Sequence, residues 1–172
     1  MAAGKTTLGK PLARALGRDF VDIDEAVERT AGKTTARIFA EDGEACFRRL
    51  ESEALRKAGA GGAVVACGGG TPCQGDNMDF MLSTGLVVNL EASPDVILRR
   101  LRLAPGQRPL VDALLSDPAA LARKVEEMGS ARAPYYGRAH ATFCSDRLES
   151  REEIDESVAA FVRQFENEID RP

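Results

Sequence analysis

The sequence predicts an α/β fold built on a parallel sheet, and three observations support this prediction. Short apolar runs rich in β-branched residues alternate with longer segments whose apolar residues recur at helical spacing. Three glycines, Gly68-Gly69-Gly70, follow the apolar run at residues 63–67, at the point where a strand of such a sheet would end. The chain has 172 residues, of which 44% are hydrophobic, so we expect a single domain over residues 1–172.

Composition and charge disfavour several classes of function. The net charge of −4 comes from interspersed basic and acidic residues, which argues against a nucleic-acid partner. No apolar run is long enough to cross a membrane, and we expect a cytoplasmic protein. The four cysteines lack Cys-x-x-Cys spacing and there is one histidine, so the sequence predicts no zinc site.

The first element is a helix that follows Gly4-Lys5-Thr6-Thr7. Gly-Lys-Thr is the second half of a phosphate-binding loop, in which a lysine and backbone N–H groups surround phosphates and the hydroxyl holds Mg²⁺. The full pattern has a glycine five positions earlier and a strand before it, and the chain starts after both. The same five letters recur at residues 31–35, where we expect Gly32 to end a helix instead of binding phosphate.

The next predicted strand, residues 20–24, ends with two carboxylates at alternate positions, Asp22 and Asp24. Alternation places both on one side of a strand. They could simply form a solvated strand end. We favour the alternative that these carboxylates face Lys5, where they would bind Mg²⁺ and orient a nucleophile.

Residues 34–58 predict two helices broken near Asp42-Gly43. Arg48 lies off the apolar stripe of the second helix, and taken alone it would pair with Glu51 or Ser52 on a wet face. The apolar run at residues 63–67 predicts a buried strand, and Gly68-Gly69-Gly70 then predicts a loop whose N–H groups approach a ligand.

The second half of the chain continues the alternation of strands and helices. We predict a helix over 76–82, a strand over 86–90, and a helix that starts at Ser93-Pro94. A proline- and glycine-punctuated segment around Arg108 predicts a lid over residues 103–118. Helices over 121–128 and from residue 131, a strand over 141–144 and a helix from Glu152 follow.

Five motifs in this order resemble the shikimate kinase family over nearly the full chain. They are Gly4-Lys5-Thr6-Thr7-Leu8-Gly9, Phe20-Val21-Asp22-Ile23-Asp24, Gly43-Glu44 with Phe47-Arg48-Arg49-Leu50-Glu51, Gly68-Gly69-Gly70, and Arg108-Pro109-Leu110 followed by Arg132-Ala133-Pro134-Tyr135-Tyr136. The resemblance implies a P-loop fold like that of nucleoside-monophosphate kinases, with a parallel sheet ordered 2-3-1-4-5. It also implies ATP-dependent phosphorylation of the shikimate 3-hydroxyl, in aromatic amino-acid and chorismate biosynthesis.

The resemblance implies roles for the substrate site. Asp24 would hold the accepting hydroxyl, Arg48 and Arg132 would bind the shikimate carboxylate, and Gly69 and Gly70 would present N–H groups. The substrate-binding helices would span residues 25–58. A different small-molecule kinase, such as one acting on gluconate, remains the alternative.

The resemblance also implies the nucleotide and metal sites. Gly4, Lys5, Thr6, Thr7 and Arg108 would contact ATP, and Arg102 and Arg147 would lie near the adenine. Lys5, Asp24 and Arg108 would be the catalytic residues, and Thr6 and Asp22 would hold Mg²⁺. We expect a monomer.

One feature departs from the family pattern. The strand expected before the phosphate loop, which is the central strand of the family's sheet, is missing from the sequence. We therefore expect either that the natural protein starts upstream or that this form folds poorly and is catalytically impaired, because buried central strands contribute much of a domain's stability.

Overall fold

The computed structural model describes residues 2–104, 111 and 113–169. Helices and parallel strands alternate along it, as the sequence predicts. The described helices are α1 (Lys5–Ala15), α2 (Ile23–Ala31), α3 (Thr35–Glu41), α4 (Gly43–Gly59), α5 (Asn77–Thr84), α6 (Pro94–Leu103), α7 (Pro118–Tyr136) and α8 (Arg151–Ile169). The strands are β1 (Phe20–Asp22), β2 (Val64–Ala66), β3 (Val88–Glu91) and β4 (Ala141–Cys144).

The described strands pair in two parallel couples. In the first couple Phe20 of β1 lies opposite Val64 of β2, and in the second Val88 of β3 lies opposite Ala141 of β4. Within the described residues no strand joins β2 to β3, so the five-stranded order implied by the resemblance is not formed there. The absence of a central strand from the protein stays a prediction.

A cavity of 710 Å³ lies between the two couples. Its walls come from β2, β3, α1 and α8, and include Leu8, Leu12, Val64, Val88 and Phe161. Helix α1 packs against β1, β2 and α8, so it holds the two couples in one molecule. This arrangement puts the N-terminal end of α1 next to the carboxyl end of β2, where ligands bind in parallel α/β sheets.

The core is divided into three clusters of buried apolar side chains. The largest joins α1 and β4 to α8 through Leu8, Leu12, Phe143, Phe161 and Phe165. A second lies under α2, α3 and α4, around Ile23, Val27, Ile38 and Phe47. The third packs α6 on α7 through Leu101 and Leu121. In the described part of the chain, no helix combines the length and apolarity that crossing a bilayer requires.

Beyond shifts of one or two residues at several element ends, two predictions differ from the structure in the kind of element formed. The helices predicted over 121–128 and from residue 131 form the single helix α7. Gly129 lies between them, and one glycine weakens a helix by only about 1 kcal/mol, which the good helix formers around it offset. The strand predicted over 20–24 ends at Asp22, because α2 begins at Ile23.

Candidate functional site

The phosphate-loop residues form the start of α1. Gly4 has the left-handed φ of 81° and lies just before the helix, and its carbonyl accepts a hydrogen bond from Leu8 N at 2.9 Å. Lys5, Thr6 and Thr7 then make the first turn, and no side chain of the preceding residue, Gly4, caps it. Such a helix end attracts phosphate through its N–H groups and its dipole.

The repeat of these letters at residues 31–35 has a different structure. Gly32 ends α2 with a φ of 65°, and Thr34 caps α3 by accepting from Arg37 N at 3.3 Å. Lys33 pairs with Asp42 at 2.8 Å and with Glu41 at 3.1 Å. The prediction that Gly32 ends a helix is therefore confirmed.

Asp22 links the phosphate loop to α2. Its Oδ2 accepts a hydrogen bond from Thr6 Oγ1 at 2.9 Å, while Oδ1 accepts from Asp24 N at 3.1 Å and caps α2. This cap turns the chain into a helix directly after β1. Asp24 consequently lies in the first turn of α2, and the expectation that it shares a strand face with Asp22 is wrong.

The carboxylate of Asp24 lies at the edge of the glycine turn. A Cβ atom built on Gly68 would be 3.2 Å from Asp24 Oδ1. The side chain still reaches solvent, but the protein around it removes enough water to raise the pKa of Asp24 above its usual range. The negative charges of Asp22 and Glu51 add to this rise in pKa, and the positive charge of Lys5 opposes it.

Arg48 projects from α4 onto the same turn. Its Nη1 donates to Oε2 of the buried Glu51 at 2.9 Å, and its Nη2 donates to Oε1 of the exposed Glu44 at 3.1 Å. A Cβ on Gly70 would lie 2.8 Å from Arg48 Nη1, so the guanidinium is packed directly against that glycine.

Arg132 reaches the turn from α7, on the other side. A Cβ on Gly69 would lie 2.7 Å from Arg132 Nη1 and 3.1 Å from the hydroxyl of Tyr136. Tyr136 Oη donates to the carbonyl of Gly69 at 2.7 Å and so holds the turn against α7. Two guanidinium groups from helices far apart in sequence therefore meet at adjacent glycines.

The structure thus assembles most of the predicted site. Three charged side chains contact the turn that contains Gly69 and Gly70, namely those of Asp24, Arg48 and Arg132. The charge of Lys5 is close enough to influence Asp24. The two guanidinium groups can bind a carboxylate of a ligand, and the carboxylate of Asp24 can accept a hydrogen bond from a hydroxyl of that ligand. Both lie next to the N-terminal end of α1, which is suited to phosphate.

The remaining predicted residues lie elsewhere or outside the described part. Arg102 is exposed in the last turn of α6. Arg147 follows β4, is exposed, and pairs with Glu156 of α8 at 2.8 Å. Arg108 and most of the predicted lid before residue 111 lie outside the described residues.

Sequence reasoning did not include in the site three residues that the structure places at the turn. They are Glu51, Thr71 and Tyr136, which all hydrogen-bond with the turn or with Arg48. The available signals were that Glu51 stands three positions after Arg48 on a helix, and that Thr71 follows the last glycine directly.

The comparisons with known proteins agree with this geometry. The family model of shikimate kinase matches residues 1–163. A shikimate kinase of Bacteroides fragilis is 42% identical over 159 residues, which cover 92% of this chain and 88% of the relative.

Solved structures give the same result. The crystal structure of shikimate kinase from Bacteroides thetaiotaomicron matches with a TM-score of 0.90 and 41% identity, covering 96% of this chain and 94% of that one. Shikimate kinase from Acinetobacter baumannii, solved in complex with shikimate, matches with a TM-score of 0.81 and 32% identity over 97% of this chain and 89% of that one. The predicted P-loop α/β fold class is confirmed.

Proposed function

Because the chain belongs to the shikimate kinase family, we propose that it transfers the γ-phosphoryl group of ATP to the 3-hydroxyl of shikimate. The observation that carries the proposal is the convergence of Arg48 and Arg132 on Gly70 and Gly69. A small polyol with one carboxylate needs such a site, in which guanidinium forks hold one end and leave the other near Asp24. The reaction would serve aromatic amino-acid biosynthesis.

At the substrate, Arg48 and Arg132 bind the carboxylate, and backbone N–H groups of Gly69 and Gly70 complete the contact. The pairing of Arg48 with Glu51 and Glu44 fixes the direction of its guanidinium, since Nε, Nη1 and Nη2 all donate to these two carboxylates. Arg48 lies on α4, among the helices within residues 25–58 that we assign as the substrate-binding part of the single domain, whereas Arg132 comes from α7.

Asp24 orients the accepting hydroxyl. The hydroxyl oxygen forms the new bond to the γ-phosphorus, the bond from that phosphorus to ADP breaks, and Asp24 takes the proton. Positioning supplies most of the acceleration in phosphoryl transfer, because the reacting groups need little covalent help from the protein.

Gly4, Lys5, Thr6 and Thr7 bind the ATP phosphates, and Lys5 stabilises charge on the transferred group. Their position at the N-terminal end of α1 supports this assignment, because the helix dipole and backbone N–H groups attract phosphate there. We also assign Arg108, within a lid over residues 103–118, to the phosphates, and Arg102 and Arg147 to the adenine region.

Thr6 and Asp22 fit a Mg²⁺ site. Their oxygens are 2.9 Å apart, and Mg²⁺ prefers oxygen ligands. Mg²⁺ usually keeps several waters and needs only one or two protein oxygens besides the phosphates, so these two side chains suffice. When bound, Mg²⁺ would neutralise phosphate charge.

We further propose that the enzyme is a cytoplasmic monomer whose partners are shikimate and ATP, with neither nucleic acid nor membrane among them. The net charge of −4 supports the exclusion of nucleic acid.

A coupled assay tests the proposal directly. The 172-residue chain should release ADP with ATP and Mg²⁺ only when shikimate is added, and the product should carry phosphate on the 3-hydroxyl. Equal or greater turnover with gluconate would support the alternative kinase. Absence of ADP together with absence of ATP binding by calorimetry would show that this chain is impaired.

A further inference from the structure

A buried polar network lies behind the glycine turn. Glu51, Thr71 and Asn77 are each no more than 1% exposed. Thr71 Oγ1 donates to Glu51 Oε1 at 2.6 Å, and Asn77 Nδ2 donates to the carbonyl of Thr71 at 2.9 Å. Burying a carboxylate is costly unless its oxygens are hydrogen-bonded, so this network is under strong geometric constraint.

The two oxygens of Glu51 serve two different parts of the site. Oε2 accepts from Arg48 within α4, and Oε1 accepts from Thr71, which begins the short 3₁₀ turn after the glycines. Thr71 N in turn donates to Gly68 O at 3.1 Å. One carboxylate therefore ties the guanidinium of α4 to the backbone of the turn.

The packing at Gly68 shows how little freedom this connection leaves. A Cβ built there would lie 2.9 Å from Glu51 Oε1 and 3.1 Å from Thr71 Oγ1. The Thr71–Glu51 hydrogen bond thus passes directly beneath the turn that carries Gly69 and Gly70. A change in its length would shift the turn relative to Arg48.

We propose that the Thr71–Glu51 hydrogen bond is a latch that fixes the distance between Arg48 and the N–H groups of Gly69 and Gly70. Thr71 and Glu51 are then positioning residues for the carboxylate end of the substrate, and they act through Arg48 and the turn. This inference rests on the assignment of those groups to the shikimate site. Nucleotide binding at α1 lies outside the latch.

The first test replaces Thr71 by Val, which keeps the shape and removes the hydroxyl. The dissociation constant of shikimate, measured by calorimetry, should rise about tenfold, while that of ATP stays within about twofold. KM for shikimate should rise in parallel, with a smaller change in kcat. Thr71→Ser keeps the hydroxyl and should restore shikimate binding to within about twofold of the unmodified chain.

Thr142→Val on the exposed face of β4 is the matched control, because it makes the same chemical change away from the turn. It should leave both dissociation constants unchanged. A Thr71→Val chain with lower thermal stability but unchanged shikimate affinity would overturn the latch, and so would an equal loss of shikimate and ATP affinity.

Glu51→Gln provides the second variant and keeps the proposal testable if Thr71→Val folds poorly. Its one carbonyl oxygen can still accept from Thr71, but its amide nitrogen cannot accept from Arg48, so the variant breaks the Arg48 end of the connection. It should also weaken shikimate binding selectively, and unchanged affinity would overturn the latch. In the double variant, the loss should be smaller than the product of the two separate losses, because the two changes break the two ends of one connection. Fully multiplicative losses would contradict the latch.

Failure of the latch and failure of the proposed function are distinguishable. The latch is scored on shikimate affinity, which requires no turnover. An unmodified chain that binds shikimate but releases no ADP contradicts the function, whereas an active chain insensitive to Thr71→Val contradicts only the latch. A chain that does not bind shikimate overturns both.

Discussion

The guanidinium of Arg48 occupies the space that a side chain on Gly70 would need. The position of a Cβ atom on Gly70 is 2.8 Å from Nη1 and 3.1 Å from Nη2 of Arg48. Contacts below 3.0 Å force one group to move, and here the group that can move is the end of a flexible side chain. A side chain at position 70 would therefore displace the Arg48 guanidinium, and it would disturb the rest of the fold less.

Gly70→Ala should weaken shikimate binding with little loss of stability. We expect KM for shikimate to rise about tenfold or more, because the added methyl group displaces the Arg48 fork, and KM for ATP to stay near its original value. Gly129→Ala in α7 is the control: open space surrounds that position, so it should stabilise the protein by about 0.5–1 kcal/mol without changing KM. A large fall in melting temperature with unchanged KM would contradict this explanation for Gly70.

Asp24→Asn should abolish turnover while ATP binding persists. The amide keeps the size of the side chain but cannot take the proton of the accepting hydroxyl, so kcat should fall by about 10²–10⁴-fold. The helix cap should survive, because Asp22 supplies it through its own carboxylate. The coupled assay measures the loss of turnover, and calorimetry measures the retained ATP binding. An active variant would contradict the role assigned to Asp24.

Arg132→Ala should act mainly on shikimate. Loss of one charge-assisted contact to the carboxylate should raise KM for shikimate by about 10–100-fold. The control is Arg138→Ala. Arg138 is an exposed arginine that follows α7 directly and pairs with Asp79. If only KM for ATP moves in the Arg132 variant, the assigned carboxylate contact is wrong.

Asp22→Asn should raise the Mg²⁺ concentration needed for activity. Asparagine also caps helices well, so α2 should keep its start, while loss of the negative charge should weaken metal affinity by about 10–100-fold. The activity should be titrated with free Mg²⁺ at fixed ATP, with Asp19→Asn as the control for an exposed carboxylate just before β1. Identical Mg²⁺ curves for Asp22→Asn and the unmodified chain would argue against this metal site.

Cys67 should resist thiol reagents at neutral pH. Burial raises its pKa to about 12, and the thiolate is the reactive form. At pH 8 only about one molecule in 10⁴ would carry the thiolate, so alkylation should be slow and should accelerate about tenfold per pH unit up to pH 10. Peptide mapping after timed iodoacetamide treatment measures this against the exposed Cys144, and urea-unfolded protein serves as the control. A Cys67 rate independent of pH in the folded chain would contradict it.

The sequence predicted the type and order of the elements because local chemistry determines them. Apolar β-branched runs gave β2 and β3, and the left-handed Gly32 ended α2 where expected. The exact end of β1 was missed, since a side-chain cap at Asp22 competes with strand extension and wins. The sequence predicted one helix before Gly129 and another from residue 131, because local patterning does not show that α7 continues through this glycine.

The site was harder to predict from residues alone. Arg48 taken singly predicted a surface pair with Glu51 or Ser52, and it does pair with Glu51. The difference is that Glu51 is buried beneath the turn, which depends on how α4 packs and cannot be read from helical spacing. Arg132 meets the same turn only through the tertiary fold, so the family resemblance was needed to connect them.

Helix α1 carries the phosphate-binding residues and also packs against both β2 and α8. A ligand held at Lys5 and Thr6 would therefore restrain the element on which the two strand couples depend. Bound nucleotide should slow amide hydrogen exchange in β1 and β2 as well as in α8, well beyond the residues that it contacts. In this fold, the helix that binds the phosphates is also the helix that packs the two halves of the sheet together.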